Sequence, residues 1–118
     1  YANSKLAMVL FSGELARRMR GTGVASNSLC PGNVDTGLYE ADPNFKDQRK
    51  RLAGSGRVRS AEAGAWLTIY LASNPRLDDT SGKFFSQAMG GLKPIDLRAD
   101  PGACARLWDV SMELVGLR

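Results

Sequence analysis

The stretch YANSKLAMVLFSGELARRMRGTGVASNSLCPG, residues 1–32, decides how the rest of the chain is read. Leu6, Met8, Val9, Leu10, Phe11, Leu15 and Met19 form a broad apolar stripe at the spacing of a helix over 6–20. Arg17, Arg18 and Arg20 fall in its last turn, where positive charge complements the helix dipole, and Gly21-Thr22-Gly23 supplies the stop. Residues 24–30, VASNSLC, have no helical period and are cut off by Pro31-Gly32, which predicts a strand.

The alternation continues downstream. Residues 37–59 form a long polar segment containing Pro43, Gly54 and Gly56, with a helical turn or more around 44–52. Ser60 then has the character of an N-cap, Glu62 follows in the first turn, and Ala63, Trp66, Leu67, Tyr70 and Leu71 line one face up to Asn74-Pro75. Residues 78–82 read as a turn, 83–86 as a short strand, and Gly90-Gly91 with Pro94 as a loop. From Pro101 a last helix places Leu107, Val110, Leu114 and Leu117 at helical spacing, with Trp108 and Met112 alongside.

Helix, strand, helix, strand, helix predicts an α/β protein with a parallel sheet and helices on its faces. Two strands fall short of the roughly 5 to 6 of an ordinary sheet, and a parallel sheet needs both faces covered. The expectation is therefore an incomplete domain, the latter part of a doubly wound sheet.

Composition narrows the chemistry. The chain has 118 residues, one domain's worth, and its 43% hydrophobic and 24% charged residues are those of a globular protein. Cys30 and Cys104 sit in apolar sequence and read as buried free thiols of a reducing compartment, which suggests a cytoplasmic location. The absence of histidine excludes Ser-His-Asp and Cys-His nucleophile systems. Two cysteines without histidine cannot build a tetrahedral zinc site, so no metal is expected. Most of the net charge of +4 lies in 40–59, where Lys46, Arg49, Lys50, Arg51, Arg57 and Arg59 outnumber Glu40, Asp42 and Asp47. With no aromatic residues interleaved among those cations, the segment reads as a solvated face and not as a nucleic-acid site. No apolar run reaches the length that crosses a bilayer, and the sequence leaves membrane attachment open.

Two constellations carry chemistry. Tyr1 and Lys5 are one helical turn apart and share a face. An ammonium held about 4 to 5 Å from a phenol contributes roughly 3 to 4 kcal/mol at an effective dielectric of about 20, which favours the phenolate and suits the group to acid–base work. The second is NSLCPGNVDTGL, residues 27–38, where a strand end meets a Pro-Gly turn and a hydroxyl. The carboxyl ends of parallel strands border the crevice in which open α/β sheets bind ligands.

YANSK, the helix that follows it and NSLCPGNVDTGL together resemble the second half of the short-chain dehydrogenase/reductase family, beginning at its catalytic tyrosine. The segments AEAGAWLTIYLAS, SGKFFS and ARLWDVSMELVGL are similar to the retinol dehydrogenase-like group within it. The resemblance implies the C-terminal half of a single Rossmann-type domain over 1–118. It also implies an NAD(P)-dependent oxidoreductase that interconverts an alcohol and a carbonyl by hydride transfer, with NADP favoured over NAD and a lipophilic or bulky substrate. Tyr1 would be the proton donor or acceptor, and Lys5 would bond the nicotinamide ribose. Pro31, Gly32, Val34 and Thr36 match the segment that flanks the nicotinamide, and Leu38 and Tyr39 fall where such enzymes form a substrate wall. In many members the tyrosine-bearing helix packs on its counterpart in another subunit, which makes residues 1–20 a surface for a homo-oligomer.

The family's glycine-rich phosphate turn, Asn-Ala-Gly segment and catalytic serine precede the tyrosine, and none is found in these residues. Gly21 and Gly23 end a helix instead of opening one. The expectation is a chain that lacks the cofactor-clamping half and is inactive alone. The alternative is a non-enzymatic fragment acting as an oligomerisation or interaction module.

Overall fold

The computed structural model describes residues 1–38, 43–52, 54–89, 91–96 and 99–117. The opening helix α1 is Ala2–Arg18, with Tyr1 as N-cap. Its C-terminal end is closed by Thr22, whose N–H and hydroxyl both donate to the Met19 carbonyl, at 3.1 and 2.7 Å. The apolar stripe predicts an inward face, but the one buried residue of α1 is Glu14. Leu6 and Met8 stay more than half exposed.

Strand β1 is Ser28–Cys30, shorter than the 24–30 expected. The reason is side-chain chemistry ahead of it. Asn27 donates to the Thr80 carbonyl at 2.6 Å and accepts from the Lys83 N–H at 3.0 Å, while the Ser26 N–H donates to the Ser81 hydroxyl. These bonds satisfy the segment without a ladder. β2, Asn33–Val34, lies beyond the Pro-Gly turn, α2 spans Pro43–Leu52 within the polar segment, and β3 is Val58–Arg59. α3 is Ala61–Ser73, and its Ser60 cap is realised: the Ser60 hydroxyl accepts from the Ala63 N–H at 3.3 Å. A short 3-10 turn, Pro75–Leu77, precedes β4, Phe84–Ser86. α4, Pro101–Leu114, starts at an Asp100 cap whose carboxylate accepts from Ala103 at 2.8 Å.

The strands pair in parallel, as the crossover order predicts. β1 runs beside β4 with Leu29 opposite Phe85, and β2 runs beside β3 with Val34 opposite Arg59. The Ser28 N–H donates to Lys83, and the Gln87 N–H donates to Cys30. That phase of the ladder turns the Leu29 N–H and C=O toward the other edge of β1, where no strand pairs among the described residues.

Helices α1 and α4 lie against each other through a stack in which the Phe11 and Trp108 rings are 4.9 Å apart at 14° and the Arg18 guanidinium lies 4.7 Å over Trp108. Arg17 and Arg18 close on Glu14 with hydrogen bonds of 2.7 to 2.8 Å. The Arg17 hydrogen bond, helped by Arg18 and opposed by burial, holds the Glu14 carboxyl at about 2 instead of 4.5.

The buried apolar core among the described residues is small: Leu67 of α3, Phe85 of β4 and Cys104 of α4. Cys30 is exposed, which corrects the expectation that both thiols are buried; neither is in a disulfide. Val110, Leu114 and Leu117, expected on the helical spacing of the last helix, are 47 to 81% exposed. The accessible surface is 8443 Å², against about 6,200 Å² for a compact monomer of this length. The radius of gyration, 16.1 Å, exceeds the roughly 13 to 14 Å of such a domain. Helical faces that carry an apolar pattern are thus left uncovered.

Candidate active site

Tyr1 is positioned by the first turn of α1. Its carbonyl accepts from the Lys5 N–H at 3.1 Å and from the Ser4 hydroxyl at 2.7 Å. The turn so fixed carries Lys5 back over Tyr1, and the Lys5 Nζ lies 5.3 Å from the centre of the phenol ring. Both residues are exposed. The structure therefore brings together the pair that the one-turn spacing predicts to share a face.

A third ring joins them. Phe45 of α2 meets Tyr1 edge to face, with ring centres 5.0 Å apart at 72°. Phe45 is not among the site residues that the spacing or the resemblance points to. It is the lone large apolar side chain between Pro43 and Arg51, which is a sign of a contact but not of the partner.

Pro31, Gly32, Val34 and Thr36 leave the carboxyl end of β1 in succession. The first three are half-buried, and Thr36 is exposed. Gly32 has φ +79°, a conformation that favours glycine, and the Arg59 Nη1 occupies the space beside it, 2.7 Å from where a β-carbon would stand. The same guanidinium donates to the Pro31 carbonyl at 3.5 Å. In the β2–β3 pair the Asp35 N–H donates to the Arg59 carbonyl at 2.9 Å. With that register the ladder engages Asn33 and Asp35 and turns the Val34 N–H and C=O away from β3. A planar amide has one donor and one acceptor side, and Val34 presents the complement of both.

Leu38 is partly exposed at the end of this segment, and Tyr39 lies outside the described residues. Among the described residues, no hydrogen bond, ion pair or ring contact joins Tyr1 or Lys5 to Pro31, Gly32, Val34 or Thr36. The two groups share the fold through the packing of α1 on β1. No group of metal-binding side chains occurs among the described residues.

No family model matches the chain. Curated proteins do, over almost its whole length. It is 38% identical over 122 residues to retinol dehydrogenase 14 of Homo sapiens, covering 99% of this chain and 35% of that protein. Polyprenol dehydrogenase of Mus musculus is 36% identical over 118 residues, covering 98% of the chain and 35% of the relative. Retinol dehydrogenase 12 of Homo sapiens is 38% identical over 118 residues, covering all of the chain and 36% of the relative. The chain spans about a third of the length of these relatives.

The relatives overturn one expectation. They are membrane-associated, so the cytoplasmic location inferred from cysteine usage does not stand. Free thiols report a reducing environment, which the cytosolic face of a membrane shares with the cytosol. No described helix is long and apolar enough to cross a membrane. Along almost its whole length the chain is similar to retinol dehydrogenase-like proteins of the short-chain dehydrogenase/reductase family.

Proposed function

We propose that this chain carries the acid–base pair and the nicotinamide-facing segment of an NAD(P)-dependent oxidoreductase acting on a lipophilic alcohol or its carbonyl. The observation that carries the reading is the Lys5 ammonium 5.3 Å from the Tyr1 ring, on a turn that leaves the phenol open to a ligand. When bound, the nicotinamide supplies the hydride. Tyr1 gives a proton to the carbonyl oxygen in reduction and takes one from the hydroxyl in oxidation. Lys5 sets positive charge beside the phenol and hydrogen-bonds the ribose. Val34 offers its outward N–H and C=O to the carboxamide, and the exposed Thr36 hydroxyl adds a further donor and acceptor.

The relatives' names, retinol and polyprenol dehydrogenase, support a long apolar alcohol as substrate. The Phe45 ring beside Tyr1, with Leu38 and Tyr39 in the preceding segment, supplies apolar surface for such a chain. NADP is the preferred nucleotide on the strength of the family resemblance, and a lipid surface is the natural place to meet the substrate.

The uncovered apolar faces and the open edge of β1 support an incomplete domain, with 1–118 forming the C-terminal half of one dinucleotide-binding unit. Alone it would bind nucleotide poorly and transfer no hydride. The exposed Leu6 and Met8 favour a second role for α1 as a surface between copies of the chain. The test of the catalytic reading is Tyr1→Phe in the natural full-length protein. Turnover is expected to fall at least about a thousandfold with cofactor affinity kept within a few-fold. Retained turnover would remove Tyr1 from the mechanism.

A further inference from the structure

We propose that Arg59 and Gly64 are positioning residues that brace the nicotinamide-facing segment 31–36 from behind, a role that rests on the oxidoreductase reading above. Three separate contacts converge on that segment from the far side of the long polar stretch. The Arg59 carbonyl accepts from the Asp35 N–H at 2.9 Å and fixes the ladder phase that points Val34 outward. The Arg59 guanidinium fills the space beside Gly32 and reaches the Pro31 carbonyl, so it props the turn where the chain leaves β1.

Gly64 supplies the third contact. It is buried in the first turns of α3, and a β-carbon there would stand 2.6 and 2.7 Å from the two γ-carbons of Val34. Real β-carbons do not approach so closely, so the absence of a side chain at 64 is what lets α3 seat directly on Val34. An added methyl must push Val34, and with it the N–H and C=O turned toward the ligand. The three contacts fall on Pro31 and Gly32 before β2, on Val34 within it and on Asp35 after it, so a displacement at any of them is felt at Val34.

The experiment is Gly64→Ala in the natural full-length protein, read by nucleotide binding. NADPH and NADH are titrated by nicotinamide fluorescence. ADP-ribose and its 2′-phosphate, which lack the nicotinamide, are titrated by calorimetry. The expected result is a loss of at least about tenfold in affinity for the nicotinamide nucleotides, with ADP-ribose affinity within about twofold. Val34→Ala added to Gly64→Ala makes room for the methyl and is expected to restore most of the loss. Arg59→Ala is expected to weaken the same probes selectively, with partial recovery in Arg59→Lys.

Equal losses for both kinds of probe would mark a general folding defect and overturn the proposal. So would nicotinamide affinity unchanged by Gly64→Ala, or no recovery in the double variant. If the unsubstituted protein bound no nicotinamide nucleotide at all, the oxidoreductase reading itself would fall, and the brace with it. That outcome is separate from one in which binding exists and the substitutions leave it untouched.

Discussion

Glu14 and Arg18, one turn apart on α1, are locked by a 2.8 Å hydrogen bond from Nε to Oε1, and the carboxylate is 2% exposed. Arg17 completes the clamp, and the same Arg18 guanidinium lies over Trp108 of α4. A buried carboxylate thus ties two arginines and an aromatic ring into the contact between two helices. Removing it would take the acceptor at 2.7 to 2.8 Å from both guanidiniums and leave Arg18 its ion pair with Asp109 at 3.9 Å.

The clamp makes stability depend on acid pH. Because the Glu14 carboxyl is held at about 2 in the folded chain instead of 4.5, its contribution is fully present above about 4.5 and is lost as pH falls through about 2. Glu14→Gln should destabilise by about 1 to 3 kcal/mol at neutral pH. The gap between the two proteins should narrow as pH drops from 4.5 to 2. Urea titrations at several pH values check this, and a gap that is constant with pH would refute it.

Trp108→Ala should weaken the α1–α4 contact by about 2 kcal/mol, since it removes the partner of both the Phe11 stack and the Arg18 contact. Chemical denaturation measures it. A change below about 0.5 kcal/mol would show that the helices are held elsewhere.

The two thiols should separate by reactivity. Cys30 is exposed, whereas burial, aided by the charges of Glu14 and Asp100, pushes the Cys104 thiol up. A maleimide or disulfide reagent should label one equivalent quickly, with Cys30 identified by mass spectrometry. The second equivalent should appear only on unfolding. Fast labelling of Cys104 in the folded protein would contradict its burial.

Phe45→Ala tests the ring that meets Tyr1. On the proposed oxidoreductase reading, it should raise KM of the natural protein for a long apolar alcohol by about threefold to tenfold relative to a short one, with kcat changed less. An equal effect on both substrates would show that Phe45 serves the fold and not the substrate wall.

Much of this was legible in the residues themselves. The Tyr1–Lys5 turn, the Ser60 cap, the start of α4 at Pro101 and the parallel pairing of the two longer strands follow from local spacing and capping chemistry. The rest was set by partners far apart in sequence. Glu14 is a polar residue whose burial depends on Arg17, Arg18 and the neighbouring α4, which no apolar periodicity reveals. Phe45 meets Tyr1 only because the polar segment folds back. β2 and β3 are two residues each, too short to show a period, and their register depends on Arg59. The exposure of Leu114 and Leu117 likewise departs from a pattern that predicts an inward face.

The thin core has a thermodynamic signature. Heat capacity change and denaturant sensitivity both scale with the area newly hydrated on unfolding, and a chain that keeps 8443 Å² wet while folded has about a fifth less to expose than a compact domain of its length. Its heat-capacity change and m-value should each lie about a fifth below those of a compact domain of equal length, with a correspondingly shallower free-energy curve.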